Sequence, residues 1–216
     1  MKEYHKIQSV FKRDMSTKQK LLIEDDYSLP EFGYLANAQW TFTETVDGTN
    51  IRVMVKDGGI TFGGKTDAAH ISAVLLTRLQ ERFSPLTEML NAQFPDGICF
   101  YGEGYGAKIQ KVGSLYRADQ DFVLFDARIG IFWMQRSFLE EYAEKLSVDL
   151  VPIVAECSLL EAIEMVKLGL KSSWGDFEAE GVVGKPKGDL LTRLGSRIIT
   201  KLRCEDFKLL QEHMHE

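Results

Sequence analysis

The chain has 216 residues, of which 44% are hydrophobic and 27% are charged, and its formal net charge is −6 at pH 7. This composition is typical of a globular protein with one sizeable core, and the acidic balance excludes a uniformly basic nucleic-acid-binding protein. No apolar run approaches the roughly 20 residues that span a bilayer, and the N-terminus lacks the apolar core of a signal peptide.

Three cysteines lie far apart along the chain, at Cys99, Cys157 and Cys204. Their odd number and wide spacing fit neither a zinc site nor a disulfide framework, so we expect core-filling thiols in a reducing compartment. The sequence therefore predicts one cytoplasmic domain.

The first predicted elements are a short strand within residues 4–13 and a short helix at Pro30, because proline is common in the first turn of a helix. Strict polar and apolar alternation then predicts two half-buried strands, at Trp40–Thr45 and at residues 50–56. Asp47-Gly48 between them is the strongest short hairpin signal. We therefore expect a hairpin whose polar end is either a solvated turn or a binding loop held by rigid strands.

A second turn at residues 56–59 and a strand from residue 60 predict another antiparallel hairpin. Helical spacing follows from Ala68 to about residue 90, with Ile71, Val74, Leu75, Leu79 and Phe83 on one face. Pro85 is expected to end or kink this helix.

A strand at residues 98–101 is expected to lead into the Gly-Glu-Gly-Tyr-Gly segment 102–106, whose glycines permit close backbone approach. The largely apolar residues 121–128 predict a strand that is buried on both faces. Helices are predicted near residues 136–146 and 158–168, strands at 180–187 and 197–203, and a last helix at 205–213. Antiparallel hairpins interspersed with separate helices favour an α+β fold.

Charge is unevenly distributed, because residues 181–203 contain six basic residues and one acidic residue, a local charge of +5 in a chain of −6. Any polyanion is therefore expected to meet a local patch.

Six segments that combine glycines, carboxylates and cations follow one another along the chain. They are residues 44–50 (Glu-Thr-Val-Asp-Gly-Thr-Asn), 62–67 (Phe-Gly-Gly-Lys-Thr-Asp), 101–106 (Tyr-Gly-Glu-Gly-Tyr-Gly), 122–126 (Phe-Val-Leu-Phe-Asp), 180–186 (Glu-Gly-Val-Val-Gly-Lys-Pro) and 199–203 (Ile-Thr-Lys-Leu-Arg). In order and residue type they resemble the nucleotidyltransferase motifs of ATP-dependent RNA ligases, most of all the branch of the phage RNA-repair and trypanosome editing ligases. Each motif is weak alone, but their joint order is specific.

The resemblance implies the ligase-type nucleotidyltransferase (adenylation) fold, an α+β domain of antiparallel and mixed sheets flanked by helices, with ATP held between sheets. It also implies Mg²⁺ or Mn²⁺. In the family's reaction a lysine amine attacks the α-phosphorus of ATP, AMP passes to an RNA 5′-phosphate, and a 3′-hydroxyl displaces AMP. Since each step moves a phosphoryl group, positioned cations and a metal are expected to supply most of the catalysis.

The resemblance further implies roles for single residues. Glu103 is expected to bind the ribose, Phe125 to stack on adenine, and Glu180 to hold the metal through its waters. Lys185, Lys201 and Arg203 are expected to be catalytic cations, with Lys185 and Lys201 neutralising the α-phosphate and Arg203 standing where lysine is usual. The expected nucleotide-binding residues are Glu44, Asp47, Gly48, Asn50, Lys65, Glu103, Phe125, Glu180, Lys185 and Lys201.

Each assignment has a plainer alternative. Glu103 can be a strand-end charge, Phe125 can be an ordinary core residue, and the late cations can form a solvated strand face. The joint order of the motifs favours the site.

Thr45 departs from the family pattern, because the resemblance places the nucleophilic lysine at this position. A threonine hydroxyl is a weak nucleophile without a base beside it and cannot form the family's phosphoramidate. We therefore expect the chain to bind ATP without adenylating itself. Either an introduced substitution or a natural loss can explain Thr45, and the other retained motif residues favour a substitution.

Two other functions stay open at this stage. One is a non-catalytic relative that binds ATP or RNA ends. The other is a P-loop phosphotransferase, because residues 59–66 satisfy the P-loop spacing, although a strand-forming Ile-Thr-Phe lies inside the supposed loop.

The chain stops soon after the last motif, so we expect one minimal domain over residues 1–216 without the C-terminal domain that many relatives append. RNA ends are then expected to bind to the domain's own surface or through a partner protein. The candidate surface residues are Lys108, Lys111, Lys187, Arg193 and Arg197.

Overall fold

The computed structural model describes residues 2–214, which divide into two compact units. The first unit consists of residues 2–5 and Asp47–Val151, and the second unit consists of Lys6–Val46 and residues 152–214. Each unit has its own main sheet and its own buried apolar cluster.

Short strands and helices alternate along the described residues. The strands are β1 (Gln8–Ser9), β2 (Phe11–Arg13), β3 (Leu22–Tyr27), β4 (Trp40–Thr45), β5 (Thr49–Lys56), β6 (Gly59–Gly63), β7 (Ile98–Gly106), β8 (Gln120–Ile129), β9 (Phe132–Trp133), β10 (Asp149–Leu150), β11 (Ile153–Cys157), β12 (Gly181–Pro186) and β13 (Thr200–Arg203). The helices are α1 (Pro30–Tyr34), α2 (Ala73–Phe83), α3 (Thr87–Gln93), α4 (Gly113–Tyr116), α5 (Arg136–Leu146), α6 (Leu159–Lys167) and α7 (Cys204–Met214), and a short 3₁₀ turn, Ser84–Leu86, joins α2 to α3.

The sheet of the first unit has the strand order β10-β8-β7-β5-β6, with β9 beside β8. Its pairings are antiparallel except that of β10 with β8. Apolar residues of β5, β7 and β8 pack with those of α2, α3 and α5 in one buried cluster. Val53, Leu79, Leu90, Phe100 and Leu146 are among its members.

The main sheet of the second unit has the order β1-β13-β12-β4-β11, and β2 and β3 pair separately. Only β1 with β13 is parallel among the pairings of this sheet in the described chain. Trp40, Phe42, Ile163, Val182 and Phe207 belong to the buried cluster that joins this sheet to α6 and α7.

Most predicted elements are confirmed. The β5–β6 hairpin turns at Asp57 and Gly58, whose φ angles of 53° and 79° are those a tight two-residue turn requires. The α+β class, the apolar strand β8, and the helices α1, α5, α6 and α7 also agree with the sequence expectations.

The predicted hairpin at Asp47-Gly48 is wrong, because β4 and β5 do not pair with each other. β4 lies between β12 and β11, and β5 lies between β7 and β6, so each strand already has two other neighbours. Asp47-Gly48 is instead the start of the long segment of the first unit, which the chain enters from the second unit after Val46.

The helix predicted from Ala68 begins later, at Ala73, because the Ser72 hydroxyl caps it by accepting a hydrogen bond from the Leu75 amide at 3.3 Å. Pro85 ends it as predicted, in the 3₁₀ turn. Val74, expected on the apolar face, is exposed.

The P-loop interpretation is also wrong. Residues 59–63 form strand β6, which pairs antiparallel with β5, and α2 begins only at Ala73. A phosphate-binding loop between a parallel strand and a helix is therefore not formed by these residues. Among residues 2–214, no helix is long and apolar enough to cross a membrane.

Candidate functional site

One face of the second unit's sheet is polar. Thr45 lies opposite Gly181, which in turn lies opposite Arg203, and Thr43 is connected in the same way through Val183 to Lys201. Because residues directly opposite each other in a sheet project to the same side, the threonines of β4 share a face with the cations of β13. Lys185, opposite Thr41, lies on this face as well.

Glu180 connects the predicted residues on this face. Its Oε1 atom accepts hydrogen bonds from Lys201 Nζ at 2.9 Å and from Arg203 Nη2 at 3.1 Å. Its Oε2 atom accepts one from Thr45 Oγ1 at 3.3 Å. The side chain of Glu180 is only 17% exposed. The structure thus brings together four predicted residues: Thr45, Glu180, Lys201 and Arg203. Thr45 and Glu180, which contact each other, are 135 residues apart in the sequence.

The pKa of Arg203 reflects this arrangement. Burial lowers the pKa of the guanidinium, the Glu180 carboxylate raises it, and the net shift is upward. Arg203 therefore remains a fixed positive charge on the polar face.

Glu44 behaves differently because it projects to the opposite, buried face of β4 with Trp40 and Phe42. Its carboxylate accepts hydrogen bonds from Ser172 Oγ at 2.5 Å and from the Ser173 amide at 2.8 Å. The carboxylate therefore fastens the 172–173 segment, and the expected nucleotide contact of Glu44 stays a prediction.

In the first unit, Asn50 and Glu103 face each other across β5 and β7. Asn50 Nδ2 donates a hydrogen bond to Glu103 Oε1 at 2.6 Å, and both side chains are half-buried. Gly48 lies beside Glu103, since a Cβ atom at this position would stand 3.1 Å from Glu103 Cβ and 2.6 Å from the Gly104 carbonyl oxygen. The Gly48 carbonyl in turn accepts a hydrogen bond from Gln110 Nε2 at 3.2 Å. These residues form a compact polar group at one end of β5.

Lys65 lies in the segment 64–67, which the buried Arg52 anchors through hydrogen bonds. Arg52, only 1% exposed, donates from Nε to the Gly64 carbonyl at 2.9 Å and from Nη2 to Asp67 Oδ1 at 2.7 Å. The Arg52 guanidinium holds the pKa of the Asp67 carboxyl below its usual range. Lys65 itself is exposed.

Phe125 is the extra residue of a β-bulge. Tyr101 pairs with Asp126 and the next residue, Gly102, pairs with Leu124, so Phe125 has no partner in the ladder. A bulge redirects a side chain, and Phe125 is half-buried between the buried Leu124 and Asp126. The rings of Tyr4 and Phe125 contact each other nearly perpendicularly at a centroid distance of 5.0 Å, and the Tyr4 hydroxyl donates to Asp126 Oδ2 at 2.9 Å.

The predicted RNA-binding residues differ in exposure. Lys108, Lys111, Lys187 and Arg193 are exposed. Arg197 is 9% exposed and lies 3.7 Å from Asp189, so the prediction that it offers a surface cation is wrong. Lys185 is half-buried in β12, as expected, and the half-buried Asp47 lies in the connection from β4 to β5 and not in the predicted hairpin turn.

Several residues around these groups escaped the sequence analysis, namely Tyr4, Arg52, Gln110, Ser172 and Ser173. Only Arg52 carried a signal, because it is one of the polar residues next to the predicted site residues Asp47 and Asn50. The others contact predicted residues through tertiary structure alone.

Metal ligands were predicted at Glu180. Within residues 2–214, no three or more His, Cys, Asp or Glu side chains are arranged to hold a metal ion by themselves.

Comparison with known proteins identifies a family and similar solved structures. The sequence model of the RNA ligase family matches residues 38–203. Among solved structures, Naegleria gruberi RNA ligase with pyrophosphate is 19% identical, with a TM-score of 0.68, over 100% of this chain and 59% of that chain. A lysine-to-alanine mutant of that ligase with ATP and Mn is 19% identical, with a TM-score of 0.65, over 98% and 58%. A lysine-to-methionine mutant with AMP and Mn is 19% identical, with a TM-score of 0.64, over 87% and 55%.

The chain thus spans less than three fifths of the length of these Naegleria ligase chains. No curated protein matches the sequence. At such low identity the solved structures establish the shared fold, which is the ligase-type α+β nucleotidyltransferase fold. The family match, however, covers most of the sequence, and on that ground the chain belongs to the RNA ligase family.

Proposed function

We propose that this chain is the nucleotidyltransferase part of an ATP-dependent RNA ligase, which joins RNA 5′-phosphate and 3′-hydroxyl ends through enzyme-adenylate and RNA-adenylate intermediates. The observation that carries the proposal is the cluster of Thr45, Glu180, Lys201 and Arg203 on one sheet face. A half-buried carboxylate with two fixed cations suits a phosphoryl group that changes its charge during transfer. The ATP, AMP and Mn in the Naegleria ligase structures support ATP and a divalent metal as the ligands.

The cations of the polar face would act on the α-phosphate. Lys185 and Lys201 neutralise its charge, and Arg203 offers a forked guanidinium to phosphate oxygens. Because Glu180 already balances Lys201 and Arg203, these side chains stay positioned before a nucleotide arrives. Such preorganisation lowers the cost of stabilising charge in the transition state.

The residues of the first unit would hold the nucleoside. The half-buried Glu103 carboxylate accepts a hydrogen bond from Asn50, and a carboxylate is an acceptor that also suits a ribose hydroxyl. Phe125, displaced from the ladder by its bulge, offers a ring for adenine. Lys65 supplies a further cation for the phosphates or for the RNA 5′-phosphate.

A divalent metal fits Glu180 in an outer role. A carboxylate oxygen is the ligand type that Mg²⁺ prefers, and Mg²⁺ usually reaches proteins with several waters and substrate phosphates attached. The Glu180 oxygens already accept hydrogen bonds from three side chains, so Glu180 would hold the metal through water. When bound, the metal would neutralise charge on the phosphates.

Thr45 is proposed to block the first step. Its hydroxyl donates to Glu180, but that carboxylate also forms ion pairs with Lys201 and Arg203 and is therefore poorly suited to remove a proton. A lysine at this position would place its amine on the polar face beside the same cations.

The test is incubation with ATP labelled at the α-phosphate, a divalent metal, and the chain with or without the Thr45→Lys substitution. After denaturing electrophoresis we expect label on the Thr45→Lys protein only. The double variant with Thr45→Lys and Lys201→Ala should carry much less label than the Thr45→Lys protein. Label on the unsubstituted chain, or none on a folded Thr45→Lys protein that still binds ATP, would contradict the proposal.

A second candidate is a non-catalytic protein that binds ATP or RNA ends, and Thr45 is the observation that favours it. The same experiment separates the two candidates. A ligase site with one altered residue regains adenylation on Thr45→Lys, whereas a site adapted only for binding does not.

We further propose RNA ends as the substrate, one nucleotidyltransferase domain over residues 1–216, and the cytoplasm as the location. The thiols support a reducing compartment, since Cys99 and Cys204 are buried and all three cysteines are unpaired.

A further inference from the structure

The connection between β12 and β13 is an ordered hairpin, which we call the leucine hairpin (residues 187–198). The Thr192 amide donates to the Ser196 carbonyl at 2.7 Å, and the Gly195 amide donates to the Thr192 carbonyl at 2.9 Å. Further from the tip, the Ile198 amide donates to the Leu190 carbonyl at 3.0 Å. These bonds fix the backbone, so the side chains at the tip have a defined direction.

Three leucines of this hairpin are exposed to solvent. Leu190 is 41% exposed, Leu191 57% and Leu194 93%, whereas Ile198 in the same hairpin is buried. Burial of a leucine side chain away from water is favourable, so an ordered hairpin with three exposed leucines indicates a contact surface.

The same hairpin is positively charged. Lys187 and Arg193 are exposed, and neither forms an ion pair within the part of the chain that the structure describes. The acidic residue of the hairpin, Asp189, lies against the buried Arg197. Asp189 is itself 46% exposed, so the exposed charges of the leucine hairpin are two cations and one carboxylate, and their balance is positive although the chain as a whole carries −6. This charge complements a polyanion rather than a basic peptide.

The leucine hairpin also continues the strands of the polar face. It begins directly after Pro186, the last residue of β12, and ends one residue before β13, which contains Lys201. An anionic strand that meets the cations of β12 and β13 can thus extend along the hairpin without leaving this unit.

We propose that the leucine hairpin binds single-stranded RNA beside the polar face, with Lys187 and Arg193 on phosphates and Leu194 against an unstacked base. Leucine is among the apolar side chains that proteins insert between bases, and cations on the backbone supply affinity without sequence preference. The choice of RNA rests on the proposed ligase function.

The test measures binding of a fluorescent, 5′-phosphorylated single-stranded RNA by anisotropy over a series of salt concentrations. Arg193→Ala should lower the slope of log affinity against log salt by about 0.7, the value for one phosphate contact on a single strand. Leu194→Ala should weaken binding about fivefold, the order expected for one lost apolar contact, and leave the slope unchanged. The two variants thus separate the charged contact from the apolar one.

Matched controls come from the same unit. Lys18→Ala removes an exposed cation elsewhere, and Leu168→Ala removes a leucine that is 87% exposed on the end of α6. Both controls should bind RNA as the unsubstituted chain does. The proposal is overturned if Arg193→Ala has the same salt slope as Lys18→Ala and Leu194→Ala has the same RNA affinity as Leu168→Ala, because the hairpin then does not bind RNA.

ATP binding is measured on the same samples. If the chain binds ATP but the hairpin substitutions leave RNA affinity unchanged, RNA binding by the hairpin is disproved and the proposed function stands. If the hairpin substitutions weaken RNA binding but the chain does not bind ATP, RNA binding by the hairpin stands and the proposed function fails. If Leu194→Ser changes the oligomeric state in sedimentation while RNA affinity stays constant, the leucines serve contact between copies of this chain, and the proposal fails.

Discussion

At the scale of single residues, two glutamates of the second unit show how the strand period decides a role. Glu44 falls on the face of β4 that carries Trp40 and Phe42, so its carboxylate is buried and holds a loop. Glu180 precedes β12 and turns its carboxylate toward the cations of the polar face. The alternation in the sequence was sufficient to place Glu44 on the apolar side. The loop serines that satisfy it lie 128 residues away and could not be read from the sequence.

Arg52 is only 1% exposed, although arginine side chains are almost never fully buried unless they are paired. Its bonds to Gly64 and Asp67 hold the segment that carries Lys65. Arg52→Met should therefore lower the free energy of unfolding by about 1.5–3 kcal/mol, the range for hydrogen bonds to a charged group. Urea denaturation measures this change, and hydrogen exchange should show faster exchange of the amides in residues 64–67.

Arg193→Met is the matched control for Arg52→Met, because Arg193 is exposed and such substitutions usually change stability by less than about 0.5 kcal/mol. Equal unfolding midpoints for the two variants would show that Arg52 does not hold the segment.

At the scale of elements, the glycines of β7 do more for packing than for ligand access. A Cβ atom at Gly102 would lie 2.2 Å from the Val123 carbonyl oxygen, and one at Gly104 would lie 2.3 Å from Leu75 Cδ2. The sequence correctly indicated a need for close backbone approach. The neighbours turn out to be the chain's own strand β8 and helix α2, and β7 continues through the glycines instead of ending before them.

Gly102→Ala should therefore be strongly destabilising. The added methyl group meets backbone that cannot move without disturbing β8, and overpacking of this kind costs about 1–3 kcal/mol or more. Gly59→Ala in β6 of the same sheet is the control, because the nearest atom to its added Cβ would lie 3.8 Å away. Denaturation midpoints should fall for Gly102→Ala and stay nearly constant for Gly59→Ala. Similar midpoints would contradict the packing role of Gly102.

The elements themselves were largely predictable, because periodicity and turn residues are local signals. The separation of β4 and β5 into different sheets was not predictable, since Asp47-Gly48 has the composition of a hairpin turn. Competition from β12, β11, β7 and β6 for the edges of these two strands decided the pairing, and those partners are remote in sequence. The bulge at Phe125 arises in the same way, from a register between β7 and β8 that no local pattern specifies.

At the scale of the whole molecule, the family motifs are distributed over both units. Thr45, Glu180, Lys185, Lys201 and Arg203 belong to the second unit, and Asn50, Lys65, Glu103 and Phe125 belong to the first. Motif order in the sequence was enough to predict the family, and sheet register accounts for the grouping within each unit. Because folding groups the residues of each set, a nucleotide that binds them would bind the folded chain and not the unfolded chain.

Such a ligand stabilises the folded state by mass action. At 100 times its Kd, ATP with Mg²⁺ should add about 2.7 kcal/mol to the free energy of unfolding, which corresponds to a rise in Tm of about 5–10 °C for a chain of this size. Because Thr45 cannot hold AMP covalently as a phosphoramidate, the rise should vanish when ATP is removed by gel filtration. Lys201→Ala should show a smaller rise relative to its own ligand-free Tm. A rise that persists after gel filtration would reveal a covalent adenylate, and no rise at saturating ATP would exclude nucleotide binding by the assembled motifs.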